Sequence, residues 1–134
     1  MNTAVISMGS NIDPEENIKR AGEILSRNVR VVSVSGPVRT KAVGPAGQPD
    51  FLNSAILIET EKEMGELKTL LKSIEKKLGR TRSADRSGPR TMDLDIIVFN
   101  NAVVDADYFR YDFVRDAVDE LTPGAGDGLK EKTK

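Results

Sequence analysis

The sequence predicts an α+β fold in which an antiparallel sheet carries two helices on one face, in the order β-α-β-β-α-β. Two amphipathic helical patterns, at residues 13–26 and 60–79, are separated and flanked by strand-like apolar runs. The chain has 134 residues with 38% hydrophobic and 31% charged content, the size and balance of one folded domain. A single domain over residues 1–121 and a disordered tail over 122–134 are the expectation. No internal repeat or linker divides the chain.

The first strand is Ala4-Val5-Ile6-Ser7-Met8, ended by a Gly9-Ser10-Asn11 turn signal. Asp13-Pro14-Glu15-Glu16 starts a helix, with Asp13 as N-cap, Pro14 in the first helical position and Glu16 completing a box-like arrangement. Ile18, Ala21 and Leu25 form its apolar stripe. Residues 29–38 are rich in valine and serine and read as an edge or bulged strand that weakens at Gly36-Pro37. Residues 40–50 hold Gly44, Pro45, Gly47 and Pro49, a loop long enough to be functional. Residues 51–60 form the third strand. Thr60-Glu61-Lys62-Glu63 reads as a capping box before Met64, Leu67, Leu71, Ile74 and Leu78, and Gly79 fits the position that ends the helix.

An arginine-bearing loop follows, with Arg80, Arg82, Arg86 and Arg90, and then Met92-Asp93-Leu94-Asp95-Ile96-Ile97-Val98-Phe99. Strand residues two apart share a face, which groups Asp93 with Asp95 and Met92 with Leu94, Ile96 and Val98. The apolar set is expected under the helices, leaving both carboxylates on the open side of the sheet. Adjacent carboxylates repel. A hard divalent cation such as Mg²⁺, its shell completed by substrate phosphate, removes the conflict, and the arginines suit the phosphates. Asn100-Asn101 is a turn, Val103-Val104 starts a short strand, and residues 108–121 are helical with Phe109, Phe113, Ala117 and Leu121 spaced by four. This assembles as a ferredoxin-like sandwich.

Composition narrows the chemistry. There is no cysteine and no histidine, which excludes disulfides, thiolate or imidazole metal sites and histidine-based triads. Proton transfer falls to carboxylates, lysine, tyrosine or solvent. A net charge of −1 argues against a nucleic-acid binder. No leader pattern or membrane span is evident, so cytoplasmic residence is expected.

Four segments together resemble the 6-hydroxymethyl-7,8-dihydropterin pyrophosphokinases of folate synthesis. They are Gly9-Ser10-Asn11; Arg39-Thr40 through Gly44-Pro45 with Gln48-Pro49-Asp50-Phe51-Leu52-Asn53; Ile74-Glu75 through Gly79-Arg80-Thr81-Arg82; and Gly88-Pro89-Arg90-Thr91-Met92-Asp93-Leu94-Asp95-Ile96. The resemblance implies a ferredoxin-like core and transfer of the β,γ-diphosphate of ATP to the pterin hydroxymethyl oxygen, releasing AMP. It implies two Mg²⁺ ions on Asp93 and Asp95. It assigns the pterin to Thr40, Val43, Phe51, Asn53 and Phe113, and the nucleotide to Glu75, Arg80, Arg82, Arg90 and Ile96. Arg82, Arg90 and Asp95 take the catalytic roles. The implied partners are dihydropterin and ATP, with no nucleic acid, no membrane, and a monomer or weak homo-oligomer.

The chain departs from the family late. Tyr111 stands where the family has an arginine, with Arg110 beside it; Ser87 replaces a loop tryptophan; and a His-Pro segment is missing between Phe99 and Phe113. A degenerate member serving as a pterin- or nucleotide-binding module is the alternative, and a ferredoxin-like interaction domain is a third reading.

Overall fold

A computed structural model of the chain describes residues 1–41, 50–79 and 92–122. Its elements are β1 (Asn2–Ser10), α1 (Pro14–Asn28), β2 (Arg30–Val34), β3 (Val38–Thr40), β4 (Phe51–Thr60), α2 (Met64–Lys77), β5 (Asp93–Phe99), β6 (Ala102–Val103), α3 (Asp107–Arg110) and α4 (Asp112–Leu121). The strands form an antiparallel sheet in the order β2-β4-β1-β5-β6, with β3 also paired to β4. This is the expected α+β, ferredoxin-like arrangement.

Strand alternation divides the molecule into two apolar layers. Ala4, Ile6 and Met8 of β1, Ile56 and Ile58 of β4, and Leu94 and Ile96 of β5 pack against Ala21 and Leu25 of α1 and Leu67, Leu71 and Ile74 of α2. On the other face, Val5, Ala55 and Ile97 pack against Tyr108, Val114 and Val118. The two expected helices thus share one face, but α3 and α4 partly cover the other, which sequence reading left open.

Local physics corrects several boundaries. β1 runs on through Gly9 and Ser10, so the turn begins only at Asn11. There Ser10 Oγ and Asn17 Nδ2 both donate to the Ile12 carbonyl, at 3.0 and 2.6 Å. Asp13 precedes α1 as expected, yet its backbone is left-handed (φ 40°) and its side chain makes no capping bond; the box with Glu16 does not form. The single strand expected over residues 29–38 is broken into β2 and β3, because Pro37 has no amide to donate to a ladder. The expected bulge is present, between Val31 and Ser33 on the β2 edge. Thr60 cannot cap α2, since it ends β4. Glu63 is the cap residue, and its N–H donates to Glu66 Oε1 at 3.1 Å. Gly79, at φ 92°, ends α2 in the left-handed conformation that glycine tolerates.

The largest correction lies in β5. Val5 pairs with Val98 but Ile6 pairs with Ile96, so Ile97 is an extra residue in the ladder. The bulge reverses the alternation. Val98 joins the Val5 face rather than Met92, Leu94 and Ile96, and Phe99 turns back to the helix side. Beyond it, Asn100 and Asn101 both have positive φ, as a tight hairpin turn requires, and lead to β6 at Ala102–Val103, one residue earlier than expected. The helix expected over residues 108–121 is two, separated at Tyr111. The break resets the stripe: Val114 and Val118 are buried while Phe109 is exposed. Tyr108 is buried instead, its hydroxyl donating to Asp119 Oδ1 at 2.8 Å.

The tail over residues 123–134 lies outside the described residues. Thr122, expected to begin it, donates both N–H and Oγ1 to the Val118 carbonyl. No helix among the described residues is long and apolar enough to cross a membrane.

Candidate functional site

The register sets the site. Gly9 of β1 pairs with Asn53 of β4 on one side and Asp93 of β5 on the other. One rung further along, Ser7 pairs with Ala55 and Asp95. Strands alternate, so both rungs present these side chains to the face that α4 half covers. Between that face and α4 lies a cavity of about 600 Å³. Thr40, Phe51, Asn53, Asp93, Asp95 and Phe113 all line it. Residues from β3, β4, β5 and α4, far apart in sequence, are brought to one place.

The polar end is built around Asn53. Its Nδ2 donates to Thr40 Oγ1 at 2.8 Å and to the Val38 carbonyl at 3.3 Å. Those bonds orient the amide. Phe51 starts the same strand, paired with Thr40. Across the cavity, the Phe113 and Tyr111 rings lie 5.5 Å apart, tilted by 31°. The result is an aromatic, largely apolar pocket with a few fixed polar groups, the usual make-up of a small-molecule site.

The other end is acidic. Burial raises the Asp95 carboxyl most, and repulsion from Asp93, Asp105, Glu75 and Asp107 adds to it, together pushing it up to about 7. Asp107 is also raised, by burial and then by Asp105, with Arg110 opposing. The fold thus holds carboxylates together against their repulsion, which a bound cation would relieve. Among the described residues no three such groups converge to form a closed metal cage. Asp93 and Asp95 therefore offer part of a shell, the donor set suited to a cation shared with a phosphate-bearing ligand.

Other expected site residues sit elsewhere. Ile96 is in the helix-side core. Glu75, on α2, is buried, and its Oε2 accepts the Leu94 N–H at 2.8 Å. It thereby braces β5 between the two aspartates, on the opposite side of the sheet from the cavity. Val43, Arg80, Arg82 and Arg90, with Arg86 and Ser87, lie outside the described residues. Sequence reasoning missed Lys41, Tyr111, Ser7 and Asp107 as lining residues. Tyr111 had a readable signal, two positions before Phe113. Lys41 and Asp107 reach the cavity only through β3–β4 pairing and the short helix α3 that precedes α4.

The family model for 7,8-dihydro-6-hydroxymethylpterin-pyrophosphokinase matches residues 5–123. The chain is 42% identical over 109 residues to the 2-amino-4-hydroxy-6-hydroxymethyldihydropteridine pyrophosphokinase of Bacillus subtilis, covering 79% of this chain and 65% of that protein. The protein of the same name from Methylorubrum extorquens is 36% identical over 128 residues, covering 92% and 80%. A folate synthesis bifunctional protein of Arabidopsis thaliana is 36% identical over 105 residues, 77% of this chain and 22% of that one. The chain belongs to the 7,8-dihydro-6-hydroxymethylpterin-pyrophosphokinase family. It spans just under two thirds of the length of the Bacillus subtilis relative.

Proposed function

From that membership and the site geometry, we propose that the chain transfers the β,γ-diphosphate of ATP to the hydroxymethyl oxygen of a 6-hydroxymethyl-7,8-dihydropterin, releasing AMP, as a step in folate synthesis. Residues 1–121 act as one unit. The observation that carries this is the shared rung: an oriented amide at Asn53, bare backbone at Gly9 and a carboxylate at Asp93, on one cavity floor.

The pterin lies between Phe51 and Phe113, with its polar edge at Asn53 and Thr40; Val43 is assigned to the pterin by the family resemblance alone. Its hydroxymethyl arm points to the aspartates. A P–O bond forms from that oxygen to the β-phosphorus, the bond from the bridging α,β oxygen breaks, and the hydroxyl proton leaves. Asp93 and Asp95 would hold Mg²⁺, two ions by the family resemblance, which supplies charge neutralisation for the phosphates and acidifies the hydroxyl. The proton of the metal-acidified hydroxyl passes to solvent, so no dedicated base is needed. Arg80, Arg82 and Arg90 are assigned to the phosphates, with Glu75 and Ile96 on the nucleotide side of β5. Small-molecule partners and a cytoplasmic setting follow from this reading.

A second reading is a pterin-binding module without transferase activity. The absence of the family's His-Pro segment between Phe99 and Phe113 favours it. One assay separates the two. Protein, 6-hydroxymethyl-7,8-dihydropterin, ATP and Mg²⁺ are mixed and AMP is quantified. Steady AMP production, abolished by Asp95→Asn, supports the transferase. AMP at background, with pterin binding retained by calorimetry, supports the binding module instead.

A further inference from the structure

Gly9 occupies a strand interior, where glycine normally weakens the strand and leaves nothing to pack. Its backbone gives no reason for the choice, since Gly79 is the positive-φ glycine among the described residues. The reason is space. A Cβ at Gly9 would lie 3.2 Å from Asn53 Oδ1 and 3.9 Å from Phe51 Cδ1. At Gly22, Gly36 and Gly65, by contrast, a Cβ would meet nothing within 4 Å. Nor is Asn53 free to yield, because its Nδ2 is committed to Thr40 Oγ1 and the Val38 carbonyl.

Gly9 also sits midway between the two ends of the cavity. Its neighbours across the sheet are Asn53 and Asp93, so those two residues are two strand spacings apart, about 9–10 Å. The floor between amide and carboxylate is therefore bare strand backbone.

We propose that Gly9 is a specificity-determining residue: its missing side chain keeps that floor flat, so that a planar two-ring heterocycle held at Asn53 lies against the strand with its one-carbon arm at the carboxylate pair. This deepens the pterin reading and rests on it. A side chain at position 9 would lift the ring and displace the Asn53 amide. The nucleotide, bound by other residues, would be unaffected.

The test is calorimetric titration of wild type, Gly9→Ala and Gly9→Ser with 6-hydroxymethylpterin and, separately, with a non-hydrolysable Mg-ATP analogue. Pterin affinity is expected to fall at least tenfold in Gly9→Ala and further in Gly9→Ser, with nucleotide affinity within twofold of wild type. Should Gly9→Ala fail to fold, Gly9→Ala/Asn53→Ser relieves the crowding and is compared with Asn53→Ser alone; a further threefold loss is expected there. Equal pterin affinity with and without the Cβ overturns the inference, as does an equal loss of pterin and nucleotide binding. Wild-type protein that binds no pterin overturns the pterin reading, and this inference with it.

Discussion

The two faces of the sheet are made from the same strands and do opposite things. On the α1–α2 face, Ile6, Met8, Leu94 and Ile96 meet Leu67, Leu71 and Ile74 in a closed apolar layer. On the other face, α4 covers only the Val5 and Ala55 end and leaves Ser7, Gly9, Asn53, Asp93 and Asp95 lining a cavity. Within β5, Leu94 and Asp95 are adjacent yet serve the two faces separately. The difference teaches that one face is spent on stability and the other holds groups that stability alone would not retain. Carboxylates forced together in a half-buried place cost free energy until a ligand compensates.

Changes on the two faces should therefore separate activity from stability. The largest effect expected is Asp95→Asn, which lowers AMP formation by roughly a hundred- to a thousandfold or more, the scale for removing one group that stabilises transition-state charge. Next comes Leu71→Ala on the closed face. It should cost about 2–5 kcal/mol in chemical denaturation, as buried leucines do, while the folded fraction keeps its pterin affinity. Loss of pterin affinity at unchanged stability in that variant would break the division.

A pH series sharpens it. Asp95 is raised in the folded state above the ordinary carboxylate value of about 4. The folded state then binds the proton more tightly than the unfolded chain. The stability this contributes is full below about pH 4 and is lost as pH rises through about 7. Metal-free wild type should show that decline in thermal unfolding. Asp95→Asn should flatten it and melt higher than wild type at pH 8. A parallel decline in both proteins would assign the effect to other groups. The smallest effect is at the end of α2: Gly79→Ala, at φ 92°, should cost about 1 kcal/mol without altering ligand affinity.

How much of this could be read in the sequence follows the same line. The closed face was legible because periodicity reports packing: Leu67, Leu71 and Ile74 fall at helical spacing, and β4 has the bounds that its apolar run suggests. The Asp93–Asp95 pair was legible from two-residue spacing. What stayed hidden depends on pairing rather than pattern. The extra residue at Ile97, which moves Val98 to the cavity side, exists only in the β1–β5 register. The helix break at Tyr111, which buries Val114 and Val118 in place of Phe109, leaves the four-residue apolar spacing intact. The role of Gly9 as floor rather than turn appears only once Asn53 and Asp93 flank it.

Backbone amide shift mapping tests the two-face account most directly. The protein, labelled with ¹⁵N, is titrated with 6-hydroxymethylpterin in the presence of Mg²⁺ and a non-hydrolysable ATP analogue. The account predicts that the pterin-induced shifts cluster at Thr40, Asn53, Gly9 and Phe113, with Leu67 and Leu71 of α2 unmoved. Shifts centred on α1 and α2, with Gly9 and Asn53 silent, would contradict it.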